Sequence, residues 1–405
     1  MRDERTWLRL LIPLLLAGCS PAPTTPPPGG IDLHLHCFPT TTCDGVPCCD
    51  LSRWNELMGD RTDVAGVLLS LQHFAVLEKV GVLPAEQAFI PRQNETVRLH
   101  ATKTPTVAWF ASLPCWAEEP WGPAWISRCQ ADADAQLALG AKGFKDHSGK
   151  TFANNPAQGD ALRWVGAWNR LNGACPSVSP ADTNANGECQ ATAGARFLGF
   201  EPDYRALVKH VVETKKAVWL THMRDFGGAT ETCFDPVQQT VRSCADVTKD
   251  QLLEFAAWAK SSLSREAARR IVIAHLGFLT ADADALTTLL DAGLTLDTAA
   301  AIKDLSAAGC NARALMAKYP DQLVWGSDAD IGAPCLPATM ASWNHVLTGK
   351  FGSEQTFRDT CSGTVTVRGL ELKSTTVAAC KGQGDVPADL YDRVVRTNAG
   401  RLLGW

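Results

Sequence analysis

Two histidines separated by one residue are the first side chains in this sequence that could bind a metal ion. His34 and His36 lie in the segment IDLHLH (31–36), where apolar and polar residues alternate strictly. This alternation predicts a β-strand with two different faces, and side chains two residues apart share a face, about 7 Å from each other. Two imidazoles so placed can bind one transition-metal ion, and a pair of surface histidines on a half-exposed strand is the alternative.

More polar residues follow apolar segments later in the chain, and their types suit metal binding or proton transfer. They are Lys145, His147, His222, His275 and Asp328. Together with the first pair, five of the nine histidines lie at the ends of predicted strands. Neutral imidazole and carboxylate are good zinc ligands, and a catalytic zinc keeps one position open for water. Water at that position has a pKa of about 7, which makes it a nucleophile near neutral pH.

Segments with strand character alternate with segments of helical spacing. The strands are predicted at 31–36, 64–71, 106–113, 141–147, 217–224, 270–276, 294–298 and 323–328. The clearest helices are predicted at 130–139, 204–215, 251–269, 283–292 and 311–319. Alternating strands and helices favour a parallel sheet, and eight strands in this length predict an α/β fold, a (β/α)8 TIM barrel over 31–405. The carboxyl ends of the strands, where the polar residues fall, are where such barrels carry their active sites.

Three long insertions follow the predicted strands four, five and eight, at 152–200, 225–250 and 330–388. The chain has 15 cysteines, and seven of them lie in these insertions. In an oxidising compartment, the fourteen cysteines other than Cys19 could form up to seven disulfides. We therefore expect disulfide-braced loop insertions at the catalytic face that shape the pocket, and an independent second domain is the alternative.

The N-terminal segment has the pattern of an export signal. Basic residues precede a short apolar run (10–16) that is too short to span a bilayer. The sequence LAGC (16–19) resembles the lipobox of bacterial lipoproteins. The resemblance implies a signal peptide over 1–18 and a lipidated Cys19 that begins a proline-rich tether over 19–30. We expect a protein of the cell envelope, anchored to the membrane by its lipid, and a plain signal peptide is the alternative.

Composition and charge exclude several classes of function. The chain has 405 residues, 45% of them hydrophobic and 20% charged, which is ordinary for a globular protein with a large core. The net charge of −5 comes without a basic stripe, so nucleic-acid binding is not expected. No G-x-S-x-G motif is present, which argues against a serine hydrolase of the α/β type. The expected partner is a small-molecule substrate, and no protein partner is implied.

The polar residues as an ordered set resemble those of a known superfamily. The order H-x-H, Lys, His, His and Asp on strands one, four, five, six and eight looks like that of the amidohydrolase superfamily. Four fragments are similar to its amidohydrolase-2 branch, which includes decarboxylases and lactone hydrolases. They are IVIAHLG (271–277), LTLDT (294–298), LVWGSD (323–328) and NAGRLLG (398–404). The resemblance covers roughly 31–405, with the cysteine-bearing loops unmatched.

The resemblance and the chemistry of the side chains together suggest roles for the site residues. His34, His36, His222 and Asp328 would bind zinc or another divalent transition metal, as one or two ions. Asp328 would also take a proton from the attacking water and deliver it to the leaving group. His275 would hydrogen-bond the water or the substrate oxyanion.

The roles of five further residues are left open by the sequence. Lys145 would be carbamylated and bridge two metal ions, as in binuclear members of the superfamily, or it would pair with Asp146 or a substrate carboxylate. Arg224 would hold a substrate carboxylate or form an ion pair with a loop. His147 lies on the same side of its strand as Lys145 and could contact substrate. Asp32 and Asp297 would support the ligands through hydrogen bonds or play a purely structural role.

Three functions are consistent with this sequence. The first is a metal-dependent hydrolase that attacks a C–O or C–N bond of a small organic substrate. The second is a mononuclear metal-dependent decarboxylase of the same branch. The third is a lipid-anchored binding or scaffold barrel without activity, against which the complete set of site residues argues.

Overall fold

The computed structural model describes the strands and most of the helices of the barrel. The described residues are 30–36, 41–43, 46–48, 65–69, 90–103, 106–113, 123–146, 202–222, 232–235, 240–279, 282–299, 310–330, 355–359, 363–367 and 388–405. The predicted insertion at 152–200 lies outside these residues.

Nine strands form one sheet in which every pairing is parallel. They are β1 (Ile31–His36), β2 (Ala65–Leu69), β3 (Val107–Ala111), β4 (Gly143–Asp146), β5 (Val218–Thr221), β6 (Ile271–Ile273), β7 (Thr295–Asp297), β8 (Leu323–Val324) and β9 (Ala329–Asp330). Neighbours in the sheet follow chain order from β1 to β8, and β9 pairs with β1 on its other side. All eight predicted strands are therefore present, most of them shorter at both ends than predicted.

The segment 323–330 brings the sheet round to its first strand. Its β8 part pairs with β7, and its β9 part pairs with β1 in the register Leu35–Ala329 and His36–Asp330. Between these two parts, the Leu33 amide donates to the Trp325 carbonyl at 3.1 Å. The structure thus confirms the predicted α/β TIM barrel.

Helices cover the outside of the sheet. They are α1 (Ile90–Lys103), α2 (Pro123–Ala138), α3 (Pro202–Lys209), α4 (Cys244–Ser262), α5 (Arg265–Ala268), α6 (Ala283–Asp291), α7 (Cys310–Lys318), α8 (Ala388–Asp392) and α9 (Asn398–Leu403). Two short π-helical segments, His210–Thr214 and Arg393–Thr397, continue α3 and α8. The helix predicted at 251–269 is divided into α4 and α5 by a break at Leu263 and Ser264, where Ser264 caps α5.

Alternate residues of the strands pack into two separate apolar clusters. The interior cluster contains Ile31, Leu33, Val67, Leu69, Ala108, Phe110, Val218, Leu220, Val272, Ala274 and Val324. The outer cluster joins the intervening strand residues to the helices, as where Trp219 of β5 packs against Tyr204 of α3. Because side chains on a strand alternate between its faces, strands such as β3, β5, β6 and β8 supply both clusters.

The last helix contributes to the interior of the barrel. Ala399 and Leu403 of α9 belong to the interior cluster, and Leu402 and Trp405 pack against it. The side chain of Asn398 donates to the carbonyls of Pro320 and Leu323, each at 2.8 Å, which ties α9 to the start of β8. We call the amino ends of the strands, where α9 packs, the base of the barrel, and the carboxyl ends its mouth.

Three antiparallel hairpins lie outside the barrel sheet. They pair Thr41–Cys43 with Val46–Cys48, Thr232–Asp235 with Thr240–Ser243, and Gln355–Asp359 with Gly363–Val367. Cys129 of α2 is fully buried and disulfide-bonded, and the proposed bracing of the mouth loops stays a prediction. Among the described residues, no helix is both long enough and apolar enough to cross a membrane.

Candidate metal centre

A bulge in β1 turns both histidines of the H-x-H motif into the barrel. The register between β1 and β2 shifts between Asp32 and Leu35. Ile31 and Leu33 lie in the interior cluster, whereas Leu35, on the far side of the shift, lies in the outer cluster. The predicted strict alternation along β1 is therefore wrong, because a bulge places one extra residue in the strand and changes which face the following side chains occupy.

The side chain of Asp32 stabilises this bulge through hydrogen bonds to backbone amides. One oxygen of its carboxylate accepts hydrogen bonds from the His34 amide at 3.1 Å and from the Ser327 amide at 3.0 Å. The side chain is fully buried, and burial raises its pKa to about 7 against the opposing effect of these hydrogen bonds. Asp32 thus joins β1 to the segment that follows β8, close to the two histidines.

His34, His36 and Asp328 place three potential ligand atoms close together. Nε2 of His36 lies 2.8 Å from Oδ1 of Asp328, and Nε2 of His34 lies 3.2 Å from the same oxygen. Two ligand atoms on one tetrahedral zinc ion are about 3.3 Å apart, given metal–ligand bonds of about 2.0–2.1 Å. The group therefore fits a divalent metal ion, which would take the place of the proton between His36 and Asp328.

A hydrogen bond at Nδ1 of His34 determines which of its two ring nitrogens can bind a metal ion. Nδ1 lies 2.7 Å from Oδ2 of Asp297, and both side chains are fully buried. Because a carboxylate accepts hydrogen bonds, Nδ1 carries the hydrogen and Nε2 has a free electron pair. Burial, together with the charge of Lys145, lowers the pKa of His34 well below its ordinary value, so the imidazole is neutral. A neutral imidazole fixed by a carboxylate is the usual form of a histidine ligand.

Asp328 reaches the site from an irregular stretch of backbone after β8. Its φ is +58°, in the left-handed region that few residues other than glycine adopt. Its amide donates to the His34 carbonyl at 2.9 Å. Burial works against ionisation of Asp328, but the hydrogen bond from His36 and the nearby imidazoles outweigh it and hold its pKa below the ordinary value. At 29% exposure, its side chain is the most accessible of these three.

Gly326 allows the close approach of β1 to the segment after β8. A Cβ atom at this position would lie 2.7 Å from Cβ of His34 and 3.2 Å from Cβ of Ala299. The first of these distances is shorter than carbon atoms tolerate, so only glycine leaves His34 in its place.

Lys145 of β4 lies inside the barrel, next to the same nitrogen of His34. Its Nζ is 3.2 Å from His34 Nε2, and the residue is 1% exposed. Gly143, two residues earlier, faces the same side, and a Cβ atom there would lie 2.5 Å from the carbonyl oxygen of Val218. The lysine therefore reaches the metal-binding group. As an ammonium it would donate a hydrogen bond to the same electron pair of His34 Nε2 that a metal ion would use.

His275 lies in a left-handed turn that begins directly after β6. The segment Ala274–Phe278 is a short 3-10 turn in which φ is +58° at His275, +52° at Leu276 and +61° at Gly277. The strand predicted over 270–276 therefore ends earlier than expected, at Ile273. Ala274 belongs to the interior cluster. In a regular strand the next side chain would point outward, but the turn directs His275 toward the inside of the barrel, at its mouth.

The hydrogen bonds of His275 restrict what it can do. Its Nδ1 lies 2.9 Å from the Ala299 carbonyl oxygen, which can only accept, so Nδ1 carries the hydrogen. Burial lowers the pKa of His275 despite the opposing charges of Asp328 and Asp297, so the ring is neutral and its Nε2 is an acceptor. Of its two predicted partners, this form suits a water molecule and does not suit an oxyanion, which needs a donor.

His222 lies beside His275 at the end of β5. Its ring centroid is 4.7 Å from that of His275, and its amide donates to the Asp146 carbonyl at 2.8 Å. Among the described residues, two groups can hold a metal ion: His34, His36 and Asp328 form one, and His34, His275 and Asp297 form the other. His222 belongs to neither, so its predicted role as a ligand stays a prediction.

Phe278 completes this side of the mouth and was not predicted from the sequence. Its ring stacks on His275 with a centroid distance of 4.8 Å and an interplanar angle of 19°. It also lies 5.4 Å from the ring of His222. Its only signal in the sequence is its place three residues after a predicted site histidine. The predicted residues His147, Arg224 and Cys19 lie outside the described residues.

Comparisons with known proteins add little to these contacts. No family model and no curated protein matches the chain. A solved structure from Lactobacillus casei ATCC 334, described as a "putative metal-dependent hydrolase", is 13% identical, with a TM-score of 0.38 over 86% of this chain and 75% of that chain. Both values are too low to transfer a function. The resemblance to the amidohydrolase superfamily stays a prediction.

Proposed function

We propose that this protein is a metal-dependent hydrolase that attacks a C–O or C–N bond of a small organic substrate. The observation that carries this proposal is the convergence of His34 Nε2 and His36 Nε2 on one oxygen of Asp328, at 3.2 and 2.8 Å. His36 and Asp328 are 292 residues apart in the sequence. Imidazole and carboxylate atoms gathered at a barrel mouth are the ligand set of a catalytic zinc site.

Each side chain of the site would have a separate role in such a reaction. A divalent metal ion, when bound, would activate water and polarise the substrate carbonyl. Asp328 is the partly exposed carboxylate of the group, so it would accept the proton of the attacking water and pass it to the leaving group. His275 would orient that water by accepting a hydrogen bond at Nε2. His34 and His36 would hold the ion, with the Nδ1 hydrogen of His34 fixed by Asp297.

Lys145 bears on the number of ions and supports a second candidate function. Its amino group lies 3.2 Å from His34 Nε2. As a carbamate it would be a ligand for one or two ions. As an ammonium it would bind a substrate carboxylate beside the metal, which is the requirement of a mononuclear decarboxylase. Release of carbon dioxide from a panel of carboxylic acids, measured beside hydrolysis of lactones, esters and amides, distinguishes these reactions.

The amino-acid pattern before the barrel supports a location for this activity. The apolar run and LAGC (16–19) favour export and a lipid anchor at Cys19. The 15 cysteines are consistent with an oxidising compartment. We therefore also propose that this protein is anchored to the cell envelope by a lipid on Cys19. Mass spectrometry of the mature N-terminus, which would detect the lipidated Cys19, tests this part of the proposal.

Metal content is the first test of the proposed function. The full chain, reconstituted with zinc or manganese and freed of excess ions, should retain about one or two ions per molecule. His36→Ala should reduce metal affinity by at least about 100-fold, because it removes one ligand atom. His210→Ala is the matched control, since this histidine pairs with Asp134 at 2.8 Å on α2, away from the mouth.

Two results would contradict the proposal. If neither the wild type nor its reconstituted form bound an ion, a binding or scaffold barrel would be favoured. If His36→Ala and His210→Ala retained metal equally, the ion would bind elsewhere in the chain.

A further inference from the structure

Asp297, the last residue of β7, contacts both histidines that the proposed reaction uses for different tasks. We propose that Asp297 is a positioning residue: one of its oxygens fixes the tautomer of the metal ligand His34, and the other fixes the left-handed turn that carries His275. This inference rests on the proposed function for the roles of the two histidines. The contacts themselves do not depend on it.

The contact with His34 decides where a metal ion can bind. Oδ2 of Asp297 lies 2.7 Å from Nδ1 of His34, with both side chains at 0% exposure. The hydrogen is therefore kept on Nδ1, and the electron pair on Nε2 points toward Asp328. With the hydrogen on Nε2 instead, His34 could not bind an ion there.

The second oxygen holds the backbone around His275. Oδ1 of Asp297 accepts from the His275 amide at 2.7 Å and from the Ala299 amide at 3.0 Å. The Ala299 carbonyl in turn accepts from the His275 ring at 2.9 Å. L-residues disfavour the left-handed conformation found at His275, so the turn needs such fixed partners. One carboxylate thus determines both the direction of the His275 side chain and the nitrogen that faces the mouth.

These same contacts argue that Asp297 is not itself a metal ligand. It lies in a group with His34 and His275 that could hold an ion by distance alone. Both of its oxygens, however, already accept hydrogen bonds from N–H groups, and the side chain is fully buried. A carboxylate so occupied supports ligands instead of replacing one.

Two substitutions at Asp297 separate its two contacts. In Asp297→Asn, the amide oxygen can still accept from the His275 and Ala299 amides. The amide nitrogen then faces His34 and donates, so the ring must accept at Nδ1 and carry its hydrogen on Nε2. Metal affinity should fall by about 100-fold or more, the upper end of the usual effect of such partners, while the turn persists. Asp297→Ala should lose both contacts.

Two measurements report the contacts of Asp297 with His34 and with His275, and neither needs an activity assay. Long-range proton–nitrogen NMR correlations of the metal-free protein report which nitrogen of His34 carries the hydrogen. Hydrogen exchange of the His275 amide reports the turn and should stay slow in Asp297→Asn and become faster in Asp297→Ala. Thr295→Val is the matched control from the same strand. It removes a partly buried hydrogen bond to the Arg269 carbonyl at 2.7 Å, near the base of the barrel.

The outcomes separate this inference from the proposed function. A wild type that binds no metal ion contradicts the proposed function, yet the tautomer of His34 in the two variants still decides the role of Asp297. The inference is overturned if Asp297→Asn keeps the hydrogen on Nδ1 of His34, or if it binds metal as tightly as Thr295→Val. A purely structural Asp297 would lower thermal stability alone in both variants.

Discussion

The base and the mouth of this barrel are built from the same strands by different rules. At the base, residues of regular strands alternate between the interior and outer clusters, and Leu403 of α9 closes the interior. At the mouth, three of the strand ends are irregular: β1 has a bulge, β6 runs into a left-handed turn, and Asp328 has a positive φ.

The difference shows how a barrel gathers polar side chains at one end. Regular alternation fills the interior with apolar residues such as Leu33, and it would send the next residue outward. The bulge in β1 and the turn after β6 change the direction of His34 and His275. Such conformations cost free energy, and buried carboxylates stabilise them: Asp32 holds the bulge and Asp297 holds the turn. We therefore expect the base to provide stability and the mouth to provide the proposed chemistry.

The largest effect is expected at the mouth, from removal of the proposed proton acceptor. Asp328→Asn should lower turnover of a hydrolysed ester, lactone or amide by about 10²- to 10⁴-fold, the usual contribution of a general acid–base group. The fold should be retained, as measured by circular dichroism, and turnover is compared at a metal concentration at which metal analysis shows the variant to be loaded, because the substitution also weakens one ligand of the ion. Normal turnover in this variant would remove Asp328 from the mechanism.

A substitution at the base should affect stability alone. Leu403→Ala removes a side chain that is 3% exposed within the interior cluster. It should lower the free energy of unfolding by about 2–5 kcal/mol, measured by denaturant titration. Metal affinity of the folded fraction should be unchanged. A matching loss of metal affinity would show that the two ends are not independent.

The smallest effect is expected outside both regions, at Asp134 on α2. Its pKa is lowered, because hydrogen bonds from Lys215 and His210 outweigh the effect of burial. This pairing stabilises the fold above the unfolded pKa of about 3.9 and is lost as the pH falls through the lower folded value. With the carboxylate 43% exposed, Asp134→Asn should cost less than about 1 kcal/mol at pH 7.

That cost should vanish in acid, where the carboxylate of the wild type is protonated as well. Equilibrium unfolding at neutral and acidic pH measures it. A stability cost that grows in acid, or a change in metal binding, would contradict the placement of Asp134 and its partners His210 and Lys215 outside the site.

The regular part of the molecule could be predicted from the sequence. Eight apolar segments with intervening helical spacing gave the number and order of the barrel strands, because burial imposes a period on the residues of each strand. The same reasoning placed His34, His36 and Asp328 at strand ends. The contacts between their side chains depend in addition on the bulge in β1, which turns both histidines into the barrel.

The irregular part could not be predicted, for a physical reason. A bulge or a left-handed turn changes the direction of a side chain through contacts with residues distant in sequence, such as those between His275 and Asp297. No local pattern around Leu276 distinguishes the turn from a continuing strand. For the same reason, the sequence indicated only that Asp297 could support a ligand through hydrogen bonds. It could not indicate that one carboxylate contacts both His34 and His275.

Anomalous diffraction from crystals of the metal-reconstituted full chain would locate the proposed ion directly. We expect a peak at the absorption edge of the added metal, about 2.0–2.2 Å from Nε2 of His34, Nε2 of His36 and a carboxylate oxygen of Asp328. A peak away from these three atoms, or no peak in reconstituted crystals, would contradict a metal centre at the mouth.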